Sequence, residues 1–370
     1  MKILYVDLLS PSGHIGLNKI LVKTLSNLVD LDIVWRNNYI NIDELKDVND
    51  RNINVYYIPE KLYKESVSKI SYRLNNVKII KWLLRNFDIN KYNLVFISSY
   101  ETISFSMAWP RKLKTRTVIL NHNNLDELQN KVKYLFFKLI PRHIEHIVFE
   151  EYMKDYLKES IKIDNKIWVM HHPISFDKYH DAKRFGLLGK EKDKCDIIFA
   201  PSGSNDELFI KNLINNQLVY KYLSQTNWRL IIKSKEITYE DNYLKIFSNY
   251  LDYKEYLYYF VNAKYILFPY VQNFNYRISG VLFDAIAFKK KIIASSNKIF
   301  KYFLNKYKDL GFIFNNLNEF NSLINILHKD KGIMSKEIIN QIYYDYSQDF
   351  FTKSLKNIIG DSQNDEEYKY

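Results

Sequence analysis

The segment 276–295, YRISGVLFDAIAFKKKIIAS, holds residues whose types and order suit a phosphorylated ligand. Ser279 and Gly280 open a run of apolar residues at helical spacing, and the free N–H groups at a helix start attract phosphate. Gly280 lets a ligand approach the backbone closely, and Arg277 adds a charged donor. Asp284 lies about one turn further along, where its carboxylate can accept hydrogen bonds from two ribose hydroxyls. Together these residues predict a nucleoside diphosphate site.

A structural role for Asp284 is the alternative, because an acidic residue near a helix start also complements the helix dipole. We favour the ribose role, since the strand that precedes it, KYILFPY at 264–270, ends just before the Ser-Gly start. In parallel sheets, ligands bind at the carboxyl ends of strands. The same rule points to four other loops, which read SPSGHIG, NHN, APSGS and KSKE.

Three residues in the first half follow predicted strands and are candidates for the same end of a sheet. His122 ends the strand RTVILNHN, and Gly13 and His14 lie in the loop SPSGHIG after the first strand. A satisfied core histidine is the alternative for His122, and a simple tight turn is the alternative for Gly13. In the second half, Ser202 and Gly203 lie in the corresponding loop APSGS.

The common cofactor and metal motifs are absent from the sequence. It contains no G-x-G-x-x-G, no Walker A sequence, no H-E-x-x-H and no G-x-S-x-G. His171 and His172 are adjacent, and neighbouring side chains on a strand point apart. We therefore expect neither a bound cofactor nor a metal ion.

Length and composition indicate two domains of ordinary size in a chain of 370 residues that is 47% hydrophobic. No uncharged apolar run is long enough to span a membrane, and the segment 2–9 is interpreted as a first strand rather than a signal peptide. The single cysteine, Cys195, excludes a disulfide framework. These features predict a cytoplasmic protein.

The formal net charge of +12 favours anionic partners. The basic residues are scattered rather than clustered, however, and no nucleic-acid motif accompanies them, so we expect no nucleic-acid partner. The segment NKVKYLFFKLI at 130–140 mixes lysines with large apolar residues. It is either a helix that rests on an anionic membrane surface or a core-facing helix whose lysines reach water, and the second interpretation is slightly favoured.

Strands and helices alternate along the chain, and the alternation restarts after a polar join near 175–193. This pattern predicts an α/β protein with two doubly wound, Rossmann-like parallel-sheet domains that face a cleft. The expected parts are an acceptor-side domain at 1–178, a nucleotide-binding domain at 179–335 and closing helices at 336–359. We expect those helices to cross back to the first domain and a disordered tail to occupy 360–370.

The stretch 252–295 resembles the C-terminal signature of GT-B glycosyltransferases, specifically the retaining family four. NAKYILFPY stands for a strand of that signature, and SGVLFDAIAFKKKIIAS stands for the E-x7-E helix and the next strand. VMHHPISFDKY is similar to the family's hinge, IIFAPSGSNDELFIKNLI to its donor loop, and ILNHNN to an acceptor-domain strand that ends in a histidine. The resemblance covers most of the chain and implies transfer of a sugar from a nucleotide-sugar donor to an acceptor hydroxyl.

The resemblance also implies roles for individual residues. Asp284 takes the place of the second acid of the motif, which holds the ribose, and Lys211 matches a lysine that contacts the donor diphosphate. His122 is the expected catalytic residue, in contact with the sugar or the leaving phosphate. Tyr276 stands where the family has its first acid, and Ser202, Gly203 and Ser204 stand where it has an arginine.

The resemblance further implies a metal-independent, retaining reaction on a carbohydrate or lipid-linked sugar acceptor, in surface polysaccharide or glycolipid assembly. It allows peripheral contact with the inner face of the cell membrane. The departure at Tyr276 leaves two alternatives open. One is a sugar-nucleotide epimerase of the same fold, and the other is a non-catalytic partner that binds a nucleotide sugar without transferring it.

Overall fold

The structure is a computed structural model. It describes residues 1–41, 53–63, 68–188, 196–327 and 329–360. Three parts of the sequence lie outside the described residues: Cys195, part of the predicted join 175–193, and residues 361–370 of the predicted disordered tail at 360–370. Gly360, the first residue of that predicted tail, instead ends the last helix. No helix in the described ranges is long and apolar enough to cross a membrane.

The chain divides into two compact units, of which the N-terminal unit comprises Met1–His172 and the final helix. Its seven strands pair in parallel, in the order β3-β2-β1-β4-β5-β6-β7. The strands are β1 (Lys2–Asp7), β2 (Asp30–Arg36), β3 (Ile53–Ile58), β4 (Leu94–Ser99), β5 (Arg116–Leu120), β6 (Ile144–Val148) and β7 (Ile167–Val169). The helices are α1 (Ile15–Ser26), α2 (Lys69–Asn86), α3 (Thr102–Ala108), α4 (Lys131–Lys138), α5 (Glu151–Asp155) and the final helix, α14 (Gln348–Gly360).

The C-terminal unit, Pro173–Ser347, contains a second seven-stranded sheet in the order β10-β11-β9-β8-β12-β13-β14. All pairs are parallel except β10 with β11. The strands are β8 (Asp196–Ala200), β9 (Trp228–Lys233), β10 (Tyr239–Glu240), β11 (Leu244–Phe247), β12 (Ala263–Phe268), β13 (Lys291–Ser295) and β14 (Gly311–Phe314). The helices are α6 (Asp177–Arg184), α7 (Glu207–Ile214), α8 (Gln217–Thr226), α9 (Tyr253–Asn262), α10 (Gly280–Ala287), α11 (Lys298–Lys306), α12 (Leu317–Leu327) and α13 (Lys336–Asp345).

The central strands are buried on both faces because helices cover each sheet from two sides. Every residue of β4 is buried, and so are all residues of β12 except Lys264. In the C-terminal unit, Ile198, Leu230 and Ile293 from three strands pack in one core cluster with residues of α7, α8 and α12. The rigid sheets that result fix the strand ends, and with them the loops that carry the candidate site residues.

The predicted architecture of two doubly wound parallel sheets is confirmed. Three local predictions differ from the structure. The segment 206–223, predicted as one helix, is two helices, because Asn216 caps the start of α8 with its side chain. The segment 239–251, predicted as mixed helix and strand, contains the antiparallel pair β10 and β11 and no helix, since the Asp241 carboxylate accepts backbone N–H groups and turns the chain. The strand predicted at 166–174 covers only Ile167–Val169.

Candidate functional site

The start of α10 is open, as an anion-binding helix start requires. Ser279 occupies the N-cap position, but its hydroxyl pairs with the Tyr270 hydroxyl at 2.8 Å rather than with its own helix. Gly280 is exposed, and apart from its chain neighbours and the backbone of its own helix no described atom lies within 4 Å of the position that a Cβ would take there. The start of α10 therefore has no side-chain cap, and Gly280 leaves space beside it.

The loop after β8 lies beside the start of α10. Asp206 donates its backbone N–H to the Pro269 carbonyl at 2.7 Å, and Val271 donates to the Ser204 carbonyl at 3.4 Å. Burial raises the pKa of Tyr270 to about 12, while hydrogen bonds from Ser202 and Ser279 oppose that rise. The Tyr270 hydroxyl thus joins the two loops that the sequence singled out separately.

Asp284 lies one turn into α10 and holds two partners from other elements. Lys178 on α6 places its ammonium 2.6 Å from Oδ2, and the Tyr256 hydroxyl on α9 donates to the same oxygen at 3.0 Å. The Asp284 side chain is 14% exposed, so part of it remains in contact with solvent. Burial, and then the charge of Asp284, raises the pKa of Tyr256 well above its ordinary value, which keeps this hydroxyl a neutral donor.

A cleft of about 290 Å³ adjoins the Asp284 cluster, since Lys178 and Tyr256 are among the residues that line it. The cleft lies where β8, β9 and β11 end, which is the expected place for a ligand in a parallel sheet. The lining residues are Lys178, Pro201, Lys233, Phe247, Tyr250, Leu251, Tyr253 and Tyr256. Four aromatic rings in a cleft with two lysines provide flat surfaces for a base beside positive charge.

Lys233 ends β9 inside this cleft and is 5% exposed. Its ammonium donates to the carbonyl groups of Ser234 and Ser248 and lies 5.2 Å from the centre of the Tyr250 ring. Burial lowers the pKa of Lys233. These contacts hold the Lys233 side chain in place along the side of the cleft. They also hold the loop after β11 close to β9.

The other predicted donor-side residues have different environments. The Arg277 guanidinium lies 4.4 Å from the centre of the Phe274 ring. The positive charge of Arg277 also lowers the pKa of the nearby Tyr270. Tyr276 is buried, and its hydroxyl accepts a hydrogen bond from Lys298 at the start of α11. Gly203 has open space where a Cβ would be. Lys211 is exposed on α7, and no hydrogen bond or ion pair between described residues joins it to this cluster.

Sequence reasoning missed the partners of Asp284 and most of the cleft. Lys178 lies in the hinge-like segment VMHHPISFDKY and Tyr256 in the stretch 252–295, but neither was singled out there, and Tyr250 lies in no motif. The fold brings the three residues together from separate segments. One signal was available for Lys233, since KSKE is one of the loops that follow a predicted strand. The expectation that ligands bind at the carboxyl ends of strands therefore indicated the position of the cleft. It could not predict which aromatic residues line it.

The N-terminal unit brings the predicted residues His14 and His122 together. Their rings stack with centroids 3.7 Å apart and an interplanar angle of 21°. Phe149 packs 5.3 Å from His122 and 6.0 Å from His172, which extends the cluster along the strand ends. Nδ1 of His14 and Nε2 of His122 are buried and have no hydrogen-bond partner among the described residues. Gly13, next to this pair, is exposed, with open space around its Cβ position.

Both stacked histidines are held neutral. Burial lowers the pKa of His14 to about 4. Burial also lowers the pKa of His122 well below its usual value, and the neighbouring His14 and His172 add to that effect. A neutral imidazole can donate one hydrogen bond and accept another, so the pair can contact a ligand without carrying charge. Within the described ranges, no group of three or more His, Cys, Asp or Glu residues is arranged to hold a metal ion.

The buried histidines predict that the protein loses stability as the pH falls below about 6.5. Burial lowers the pKa of His14 to about 4 and that of His146 to about 3, whereas both titrate near their ordinary value in the unfolded chain. Between these values the unfolded state binds more protons than the folded state. The free energy of unfolding therefore decreases as the pH is lowered. The slope is about 1.4 kcal/mol per pH unit for each such proton. Urea midpoints at pH 7.5, 6.0 and 5.0 measure it.

His14→Phe keeps a ring in the stack but removes one titrating group, so we expect a shallower fall of the urea midpoint. His143→Phe is the matched control, since His143 is exposed in the same unit. A midpoint that declines equally steeply in wild type and His14→Phe would contradict the assignment.

Comparisons with known proteins establish the fold. No protein-family model matches the chain, and a search of curated proteins found no relative by sequence. Among solved structures, sucrose-phosphate synthase from Thermosynechococcus elongatus matches with a TM-score of 0.69 at 10% identity, over 97% of this chain and 98% of that chain. HepE from Anabaena in complex with UDP and glucose matches with a TM-score of 0.63 at 10% identity, over 97% and 99%.

A glycosyltransferase from Rickettsia africae matches with a TM-score of 0.58 at 15% identity, and each chain is 97% covered. These proteins are glycosyltransferases of the GT-B type, and the present chain has the same fold along its length. The fold that the resemblance implied is therefore confirmed. At identities of 10–15%, the likeness establishes the architecture alone.

Proposed function

We propose that the protein is a glycosyltransferase that moves a sugar from a nucleotide-sugar donor to an acceptor hydroxyl. The observation that carries this proposal is the Asp284 carboxylate, which lies one turn behind an uncapped helix start and next to an aromatic cleft. A ribose, a diphosphate and a base require these three features side by side. Support also comes from HepE, which shares the fold and is described in complexes with UDP and with UDP-glucose.

In the C-terminal unit, the donor nucleotide would use the groups described above. Asp284 accepts hydrogen bonds from the ribose hydroxyls, and the ring of Tyr250, which is 89% exposed, stacks on the base. The amides of Ser279 and Gly280 bind the diphosphate, with Arg277 as a charged partner. Lys178 forms an ion pair with Asp284, and its positive charge offsets the negative charge of the carboxylate beside the phosphates.

Four further donor-side residues have smaller roles in the proposal. Ser202 and Gly203 form the loop that faces the start of α10 through Tyr270. Lys211 contacts the diphosphate from α7, and Tyr276 contacts the transferred sugar. These two assignments follow the family resemblance.

In the N-terminal unit, His122 would act as the catalytic residue that contacts the sugar or the leaving phosphate. Its pKa, lowered by burial, makes it a neutral hydrogen-bond donor rather than a cation. The exposed Gly13 and the neighbouring His14 form the acceptor-side loop. In the reaction, the bond from the anomeric carbon to the diphosphate oxygen breaks, a bond to the acceptor oxygen forms, and the hydroxyl proton passes to the leaving diphosphate.

The proposal extends to the chemistry of the reaction and its acceptor. Helix amides and basic side chains neutralise the leaving diphosphate, so the reaction needs no metal ion. The stereochemistry is retaining and the acceptor is a polysaccharide or glycolipid under assembly, as the family resemblance implies. Whether this chain belongs to family four itself stays a prediction.

A thermal-shift screen tests the donor site. UDP, GDP, CMP and their common sugar conjugates are added at millimolar concentration to the full-length protein. Because a ligand that binds only the folded state raises the melting temperature, one nucleotide class should raise it by several degrees. No response to any nucleotide would overturn the proposal.

One observation favours a second function, a non-catalytic partner that binds the nucleotide sugar. At the position where the resembling family has its first acid, Tyr276 is buried and paired with Lys298. Such a protein would respond to nucleotide sugars in the screen but release no nucleoside diphosphate with any acceptor.

A further inference from the structure

The three helices α2, α3 and α4 of the N-terminal unit form a continuous layer. The crossovers β3–α2–β4, β4–α3–β5 and β5–α4–β6 all run in the same direction along the sheet. Because such crossovers are right-handed, the three helices cover the same face. In the structure α3 packs against α2 on one side and α4 on the other. Their outer sides therefore form one surface, which we name the α2–α4 surface.

The α2–α4 surface is basic. None of the three helices contains an aspartate or glutamate, whereas α2 carries five Lys or Arg residues and α4 carries three. Two of these side chains pair with acids of neighbouring segments: Arg73 lies 3.6 Å from Glu101, and Lys133 lies 2.6 Å from Glu127. Five exposed lysines have no carboxylate partner within 4 Å among the described residues. They are Lys69, Lys78, Lys81, Lys131 and Lys138.

The same surface exposes large apolar side chains. The exposed apolar residues on the three helices include Ile70, Leu74, Met107, Val132 and Leu135, and each exposes more than half of its area. Leu139, just after α4, is 42% exposed. Scattered exposed hydrophobic residues are ordinary, but six on three adjoining helices are typical of an interaction surface.

On α2 and on α4 the apolar and basic side chains share one side of the helix. At about 100° per residue, Ile70, Leu74, Lys78 and Lys81 fall within an arc of about 80° on α2. On α4, Lys131, Leu135 and Lys138 fall within about 60°, and Val132 and Leu139 flank them. Lysines beside apolar residues, on an outward face without acids, match the boundary between lipid headgroups and acyl chains.

We propose that the α2–α4 surface docks on a lipid bilayer that contains anionic lipids. The lysines attract the negative headgroups, and the leucine, isoleucine, valine and methionine side chains insert at the boundary of the acyl chains. A nucleic acid fits this surface less well, since it would leave the aliphatic side chains exposed. It also requires several stacking aromatic rings, whereas Tyr72 is the one ring among the large exposed side chains described on these three helices. The surface belongs to the N-terminal unit and shares no residue with the donor cleft of the C-terminal unit, so the proposal does not depend on the proposed reaction.

Vesicle co-sedimentation of the full-length protein tests the proposal. The vesicles contain either phosphatidylcholine alone or phosphatidylcholine with 30% phosphatidylglycerol. We expect binding to the mixed vesicles at 0.1 M salt, at least tenfold weaker binding at 0.5 M salt, and little binding to pure phosphatidylcholine. Equal binding to both vesicle types, or no binding to the mixed vesicles, would overturn it. So would self-association through this surface that persists in the presence of vesicles.

Two double variants locate the contact. Leu135→Ser with Lys138→Gln removes one apolar and one basic residue from α4, and vesicle binding should weaken at least tenfold. Leu218→Ser with Lys221→Gln makes the same changes on exposed positions of α8 in the C-terminal unit and should leave binding unchanged. If both bind alike, the α2–α4 surface is not the docking site. The nucleotide thermal shift of both variants should equal that of wild type, which separates this test from the test of the donor site.

Discussion

Asp284→Asn should lower the affinity of the protein for its nucleoside diphosphate by about one hundredfold. Hydrogen bonds to a charged acceptor contribute about 1.5–3 kcal/mol each, and the ribose would make two to this carboxylate. The amide keeps the size of the side chain but loses the charge and one acceptor. A loss of about 3 kcal/mol in binding free energy corresponds to about two orders of magnitude in the dissociation constant.

Titration calorimetry with the nucleotide found in the screen measures this affinity. Glu337→Gln, on the exposed side of α13, is the matched control, because it removes one negative charge from the same unit. The urea midpoint of each variant shows whether the fold is intact. The Lys178 side chain is partly exposed, so water can solvate its ammonium when the carboxylate is removed. We therefore expect Asp284→Asn to change the urea midpoint little. An unchanged dissociation constant in Asp284→Asn would remove the ribose assignment.

Gly311→Ala should destabilise the C-terminal sheet by about 3 kcal/mol or more. A Cβ at this position would lie 2.0 Å from the Ile292 carbonyl oxygen, and β14 pairs with β13 at this register. The obstacle is backbone rather than the end of a flexible side chain, so no rotamer change relieves it. Close-packed interiors tolerate such overlap poorly, and the two strands would have to separate.

The measurement for Gly311→Ala is the urea midpoint by circular dichroism. Gly16→Ala is the control, because a Cβ at Gly16 meets no atom within 4 Å and alanine is a better helix former than glycine. That control should be neutral or slightly more stable than wild type. If Gly311→Ala unfolds at the wild-type midpoint, β13 and β14 do not pair in the described register.

The fold could be predicted from the sequence because its signals are local and repeated. Each strand is a short apolar run between a turn and a helix, and the alternation appears twice. The exceptions arose where one side chain changes the local structure. Asn216 divides a predicted helix by capping the next one, and Asp241 turns the chain into an antiparallel pair.

The surroundings of the proposed donor residues could be predicted only in part. The helix start at Ser279 and the carboxylate of Asp284 have a local pattern, and the structure places them where that pattern indicates. The partners Lys178 and Tyr256 lie 106 and 28 residues from Asp284 in the chain, so their contacts depend on packing that no local pattern records.

The histidine pair shows the same limit. His14 and His122 each follow a predicted strand, which made both of them candidates. Their stacking depends on β1 and β5 ending at the same edge of one sheet, and β4 separates these strands. The sequence could therefore select the two residues but could not predict that they form one buried pair.

The most direct test of the central claim is release of nucleoside diphosphate from a panel of nucleotide sugars. Wild type and Asp284→Asn are incubated with each nucleotide sugar, with and without short oligosaccharide and lipid-linked acceptors. We predict that wild type consumes one donor and releases its nucleoside diphosphate faster when an acceptor is present, and that Asp284→Asn is at least tenfold slower at low donor concentration. Binding of a nucleotide sugar without release under any of these conditions would contradict transfer and support the non-catalytic partner.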